Sequence, residues 1–294
     1  MTWSASEMMT VAAARALAND DVCFVGIGLP SAACNLARLT HAPRLTLVYE
    51  SGTLGTRPQV LPLSIGDGEL YETALTTVSV PEMFQYWLQG GRITVGFLGG
   101  AQVDRFGNLN STVIGPYAKP KVRLPGSGGA TEISTSCHRI YIVMRHGPKS
   151  FVDKLDFLTS LGHGPTGRER RALGLRTEGP SLIVTDLCTM RPDADSKEFE
   201  VVTLHPGVTV DTVRENTGWP VRFAAQVHET PAPTPDELAA LRDLNARTAQ
   251  AHSVTAAEAR RGTGAPTGAE RGHGAPASDG VGESEGRSPS DLVG

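Results

Sequence analysis

Several features are scarce in this sequence, and each scarcity excludes a class of protein. Aromatic residues are 5% of the 294, and no stretch reaches about 18 uninterrupted apolar residues, so no membrane span is expected. The first residues lack a basic segment leading into an apolar one, which argues against a secretory signal and for a cytoplasmic protein. Neither sign of charge dominates. The 27 Lys+Arg and 31 Asp+Glu leave a net −4, which disfavours nucleic acid as a partner, because its binders are normally basic. Only four cysteines occur, Cys23, Cys34, Cys137 and Cys188. They show no C-x-x-C pairing, so a reduced protein without a zinc site is expected. His138, His146, His163 and His205 have no ligand-like spacing, and no metal is assigned to them. There is no Walker lysine, no G-x-S-x-G elbow and no H-E-x-x-H helix, which removes nucleotide hydrolysis, serine esterase and zincin chemistry. A dinucleotide turn fails as well: after Gly26-Ile27-Gly28 the third glycine would stand at Ser31, with Pro30 just before it.

What is present is an alternation of helix and strand. Ser4 and Glu7 form a capping box ahead of Met8, Val11, Ala14 and Leu17 at helical spacing. A buried strand follows at 22–25, then a short helix that Ser31 can cap, then an apolar run at 45–49. This is the pattern of a parallel sheet with right-handed crossovers. Residues 81–88 predict a helix closed by Gly90-Gly91, and 93–98, 140–144, 182–184 and 201–204 predict further strands. Residues 210–216 predict a short helix, and Thr234-Pro235-Asp236-Glu237 opens a last one. The expected architecture is α/β, a mostly parallel open sheet with helices on both faces, over residues 1–251. Residues 252–294 are expected to be a disordered Gly/Pro/Ala-rich tail, since residues 261–294 hold nine glycines, three prolines and no aromatic residue.

The chemistry centres on Val48-Tyr49-Glu50-Ser51-Gly52. A side chain just past a strand end points into the crevice where open α/β sheets bind ligands; the alternative is a solvated glutamate closing a turn. Residues 53–68 make a long Gly/Pro/Ser-rich loop, which favours a functional role. Gly99-Gly100-Ala101-Gln102 through Asn108 to Thr112 forms a second polar, glycine-punctuated loop. In Pro125-Gly126-Ser127-Gly128-Gly129-Ala130, backbone amides at a helix start can form an anion-binding concavity, the alternative being a flexible loop. Lys119, Lys121 and Arg123 read as a basic edge strand or a phosphate site. The run at Arg168, Arg170 and Arg171 reads as a solvated face or a partner contact.

In order along the chain, these pieces resemble the β subunit of family I coenzyme A transferases, most closely the glutaconate CoA-transferase branch. Gly26-Ile27-Gly28-Leu29-Pro30 is similar to the family's G-x-G-x-P turn and Glu50-Ser51-Gly52 to its E-S-G signature. Ser64-Ile65-Gly66-Asp67, the 99–112 loop and Gly126-Ser127-Gly128-Gly129-Ala130 continue the series, so the resemblance spans residues 5–250. It implies that Glu50 is the nucleophile toward an acyl-CoA. A glutamate is ionised at neutral pH, with an ordinary pKa of about 4.3, and an ionised carboxylate is a competent nucleophile. It implies oxyanion and CoA contacts at Gly126, Gly128, Gly129 and Ala130, and active-site loops at Gly26, Gly28, Ser51, Gly52, Gly99, Gly100, Gln102 and Asn108. No cofactor is expected to be permanently bound, coenzyme A arriving as acyl-CoA substrate. A separate α subunit is implied, in (αβ)2 or a larger assembly, with a dicarboxylic or 3-oxo acid as co-substrate. The rival readings are an acyl-CoA or ring-cleaving hydrolase on the same fold, a sugar-phosphate-binding module, and an inactive scaffold subunit.

Overall fold

The computed structural model describes residues 2–262, with side chains through Ser253. The first four elements are α1 (Ala5–Arg15), β1 (Val22–Phe24), α2 (Leu29–Leu39) and β2 (Thr46–Val48). Ser4 and Glu7 cap α1 reciprocally, as the capping box predicts. A short ribbon follows, β3 (Thr53–Leu54), α3 (Gly68–Glu72) and β4 (Thr76–Thr77); then α4 (Val80–Glu82) continues as a π-helical segment, Met83–Leu88, into β5 (Val95–Leu98). Two small hairpins come next, β6 (Gln102–Val103) with β7 (Leu109–Asn110) and β8 (Val113–Ile114) with β9 (Val122–Arg123). The chain proceeds through α5 (Ala130–Ser136), β10 (Arg139–Val143), α6 (Glu169–Ala172), β11 (Gly179–Val184), β12 (Cys188–Pro192), β13 (Phe199–Leu204), α7 (Val210–Glu215), β14 (Arg222–Glu229) and α8 (Pro235–Gly262).

Ten strands form one open sheet in the order β14-β13-β12-β11-β10-β5-β1-β2-β3-β4. Its centre is parallel, β2, β1, β5, β10 and β11 pairing in register. Because β2 lies on one side of β1 and β5 on the other, the connections diverge there, and the crevice of a doubly wound sheet opens at their carboxyl ends. Antiparallel pairs extend both margins, β3 and β4 at one and β12 and β13 at the other, with β14 parallel to β13. Of these margin strands, β13 contains the strand expected at 201–204; β3 and β4, of two residues each, leave no periodic signal, and β12 and β14 are not foreseen from the sequence. Within the 119–124 stretch only Val122–Arg123 is a strand, and it pairs in the β8–β9 hairpin and not at the edge of the main sheet.

Alternation along the strands builds two cores. Cys23, Leu47, Tyr49, Val95, Phe97 and Tyr141 pack with α1, α2 and Leu241 of α8, while Phe24, Val48, Leu98, Ile140 and Ile142 pack with Met83, Leu88, Ile133 and Val213 on the other face. Both faces are therefore covered by helices, and each fully buried Leu or Val contributes about 1.5–3 kcal/mol. All four cysteines are free and buried. Within the basic run, Arg168 and Arg171 are exposed as expected, but Arg170 is only 4% exposed, which corrects the reading of that residue as part of a solvated face. Helix α8 continues past Ala251 to Gly262; residues 263–294, the rest of the expected tail, lie outside the described residues.

Candidate active site

The site is set by how β2 ends. Tyr49 is fully buried, its hydroxyl bonded to Ser31 Oγ of α2 at 2.8 Å, and burial pushes its ionisation above the usual tyrosine range. The chain then turns tightly: Gly52 N donates to Tyr49 O at 2.9 Å, and Tyr49 N to Thr53 O at 3.1 Å. Gly52 has φ +102°, and a Cβ there would lie 2.0 Å from Val78 O, so only glycine fits this corner. The turn lifts Glu50 out of the sheet at its carboxyl edge. Glu50 is half-buried, and its carboxylate has no hydrogen-bond or ion partner among the described residues.

Opposite it stands the glycine turn at 126–129. Gly126 N donates to Ser111 O at 2.9 Å and Ser111 Oγ to Gly126 O at 2.8 Å, which anchors the turn to the preceding loop. Gly129 caps α5, and a Cβ on it would fall 3.0 Å from Glu50 Oε1 and 3.0 Å from the Phe84 ring. The absence of a side chain at 129 is what lets carboxylate and turn come together. Among the described residues nothing accepts from the N–H of Gly128 or Gly129, whereas Ala130 N is taken by Ser127 O at 2.8 Å.

The other expected residues divide. Gly26 and Gly28 follow β1, and Gly99 and Gly100 follow β5, so they share the carboxyl edge with Glu50; Gly28 caps α2 with open space around it. Ser51 Oγ is buried and has no partner among the described residues. Gln102 and Asn108, by contrast, are committed to their own loop. Gln102 Oε1 accepts from Asn110 Nδ2 at 2.7 Å and Asp156 N at 3.0 Å, and its Nε2 donates to Asp156 Oδ2 at 3.0 Å. Asn108 Oδ1 accepts from Gly162 N at 2.8 Å and Gly164 N at 3.1 Å, while its Nδ2 donates to Asp104 Oδ2 at 2.8 Å. Burial raises the Asp104 carboxyl, opposed by those donors. These bonds tie both side chains to the loop itself and to the 156–164 segment.

Arg105 is paired with Asp153 and Glu198. Lys119, Lys121 and Arg123 are exposed on the β8–β9 hairpin, Arg123 lying 5.0 Å from the Tyr117 ring centre. Among the described residues no group of three or more His, Cys, Asp or Glu is placed to hold a metal. Phe84 is the contact that sequence reasoning missed. Its segment reads as an ordinary amphipathic helix, and only the packing of that segment on α5 brings the ring to Gly129.

The fold and site thus define a doubly wound α/β protein whose strand-end carboxylate, unpaired among the described residues, lies against a glycine turn at the start of a helix. Comparison with known proteins narrows the class. The family model described as "Coenzyme A transferase" matches residues 6–216. The chain is 64% identical over 250 residues to the β subunit of 3-oxoadipate CoA-transferase from Pseudomonas knackmussii, covering 85% of this chain and 96% of that protein. It is 37% identical over 247 residues to the β subunit of glutaconate CoA-transferase from Acidaminococcus fermentans, covering 81% and 90%. The crystal structure of glutaconate coenzyme A-transferase from the same organism superposes with a TM-score of 0.77 at 32% identity, covering 82% of this chain and 94% of the other. The chain belongs to the coenzyme A transferase family. Its activity is that of a CoA-transferase subunit, moving coenzyme A between an acyl-CoA and a free carboxylic acid.

Proposed function

We propose that this chain is the β subunit of a heteromeric CoA-transferase in which Glu50 carries the CoA covalently. The observation that supports this most directly is the unpaired Glu50 carboxylate lying against Gly129. A Glu50 oxygen attacks the thioester carbonyl carbon, and the carbon–sulfur bond breaks to give an acyl-glutamyl anhydride and CoA thiolate. The thiolate then attacks the Glu50 carbonyl carbon, expelling the acyl group as its carboxylate and leaving a glutamyl-CoA thioester. An acceptor carboxylate runs the same steps in reverse, so no net proton or electron is exchanged. Each step passes through a tetrahedral oxyanion, and the free N–H groups of Gly128 and Gly129 are the donors proposed for it. Losing such a donor commonly costs about 2.7–4 kcal/mol of transition-state stabilisation. The long CoA arm supplies binding energy away from the reacting carbon, which offsets the strain of the anhydride. Water must be kept out, since the anhydride would hydrolyse.

No resident cofactor enters this scheme; coenzyme A comes and goes as substrate. A separate α subunit completes the acyl pocket, in an (αβ)2 or larger assembly, and the free cysteines fit a cytoplasmic setting. The extent of identity to the 3-oxoadipate relative favours a dicarboxylic 3-oxo acid as acceptor. Intact-mass spectrometry of the co-purified αβ protein with an acyl-CoA and no acceptor tests the route. A CoA adduct on the Glu50 peptide, removed by borohydride, is expected. Release of free CoA with no adduct would overturn the covalent transferase scheme in favour of a hydrolase.

A further inference from the structure

The basic run at 168–171 is a sequence feature the transferase reaction does not use. Helix α6 sets it beside the start of β11 and the end of β12, at the amino-terminal edge of the parallel strands, away from the edge that carries Glu50. Among the described residues Arg170 is bonded only to neutral acceptors: Nε to Thr177 O at 3.1 Å, Nη1 to Gly162 O at 3.2 Å, and Nη2 to Ser134 O at 2.8 Å and to Thr177 Oγ1. A buried charge without a counter-charge is costly, and structures normally pair it.

Arg170 lines a cavity of about 330 Å3 together with Arg171, Lys197, Ser181 and Thr177. None of these three cations has a carboxylate within ion-pair distance among the described residues. Ser181 Oγ is buried and has no partner among the described residues. Lys197 is the only non-glycine among the described residues at positive φ, +62°, a conformation such residues seldom hold. The one carboxylate on the lining, Glu178, is turned to His138, its Oε1 lying 3.2 Å from Nε2. Three unpaired cations and an orphan hydroxyl around one cavity make a receptor for negative charge.

We propose that this cavity binds a small oxyanion, a phosphate or a short dicarboxylate, held by Arg170, Arg171, Lys197 and the Ser181 hydroxyl. The floor of the cavity is tied to the last turn of α5, through Arg170 to Ser134 O and through Thr177 Oγ1 to Thr135 O at 2.9 Å. A bound anion therefore braces the helix whose first turn faces Glu50, and its first effect is on stability.

Isothermal titration calorimetry on the full chain with its α subunit tests this, using inorganic phosphate in one arm and succinate in the other, at constant ionic strength. Saturable binding of one anion per chain is expected, unchanged in Glu50→Ala and weakened by about tenfold or more in the Arg171→Gln/Lys197→Gln double variant. Phosphate binding more tightly assigns the site to a phosphate-bearing ligand, and succinate binding more tightly to a carboxylate. No saturable heat with either anion, or equal affinity in the double variant, overturns the proposal. Ser181→Ala provides a second variant should the double one melt early, with weakened binding expected and unchanged binding counting against the site.

Discussion

Two glycine-rich loops at the carboxyl edge of the sheet treat their polar groups in opposite ways. The loop after β5 ties up the Gln102 and Asn108 side chains within itself and with the 156–164 segment. Among the described residues the 126–129 turn leaves the Gly128 and Gly129 N–H groups free, and the Glu50 carboxylate beside it is free as well. In sequence the two loops look alike, polar and glycine-punctuated. Hydrogen-bond satisfaction separates them: one loop spends its side chains on its own neighbours, the other leaves two backbone donors unused among the described residues.

The largest effect that could break this contrast is at Glu50. Glu50→Ala is expected to lower transferase turnover by more than about 10⁴-fold. Its melting temperature should stay near wild type, because the carboxylate has no partner among the described residues to lose. Turnover within tenfold of wild type would remove Glu50 from the chemistry.

Acid should strike the scaffold side. Burial lowers His146 and His163 to about 4, and His163 N is bonded to Phe106 O of the first loop. Both are held neutral in the fold, while in the unfolded chain they take up a proton near the usual 6.5. Their penalty is therefore absent above about pH 6.5 and grows as pH falls toward 4, reaching about 2 kcal/mol each at pH 5. Urea denaturation at pH 7.5 and pH 5 checks the sign; equal midpoints would contradict the buried neutral state.

Asn108→Ala strands the N–H groups of Gly162 and Gly164, and about 2–4 kcal/mol of stability should go with them. Activity per folded molecule should be unchanged. A loss of kcat without a loss of stability would move Asn108 to the binding side of the contrast. Gly129→Ala should do the reverse. Its φ of −79° tolerates a side chain, but the added methyl meets Glu50 and Phe84. Turnover is expected to fall about 10- to 100-fold with little change in melting temperature. The smallest effect belongs to Ser51→Ala, which removes a buried unpartnered hydroxyl and should stabilise by up to about 1 kcal/mol. A raised KM with no gain in stability would instead assign that hydroxyl to the substrate.

The sequence by itself determined the α/β alternation, the parallel centre of the sheet and the place of Glu50 at a strand end. Those follow from local rules: apolar runs of strand length, capping residues and glycines at sharp turns leave their mark within a few residues. Tertiary structure alone decided the rest. Residues 50, 84 and 129 meet only because β2, the π-helical segment and α5 converge at one edge of the sheet, a contact no local spacing encodes. Pairing between segments likewise tied Gln102 and Asn108 to the 156–164 segment and buried Arg170 among carbonyl oxygens, while its neighbours Arg168 and Arg171 stayed in solvent. Periodicity in the chain says which side of an element faces inward; which polar groups find partners is settled only when distant segments come together.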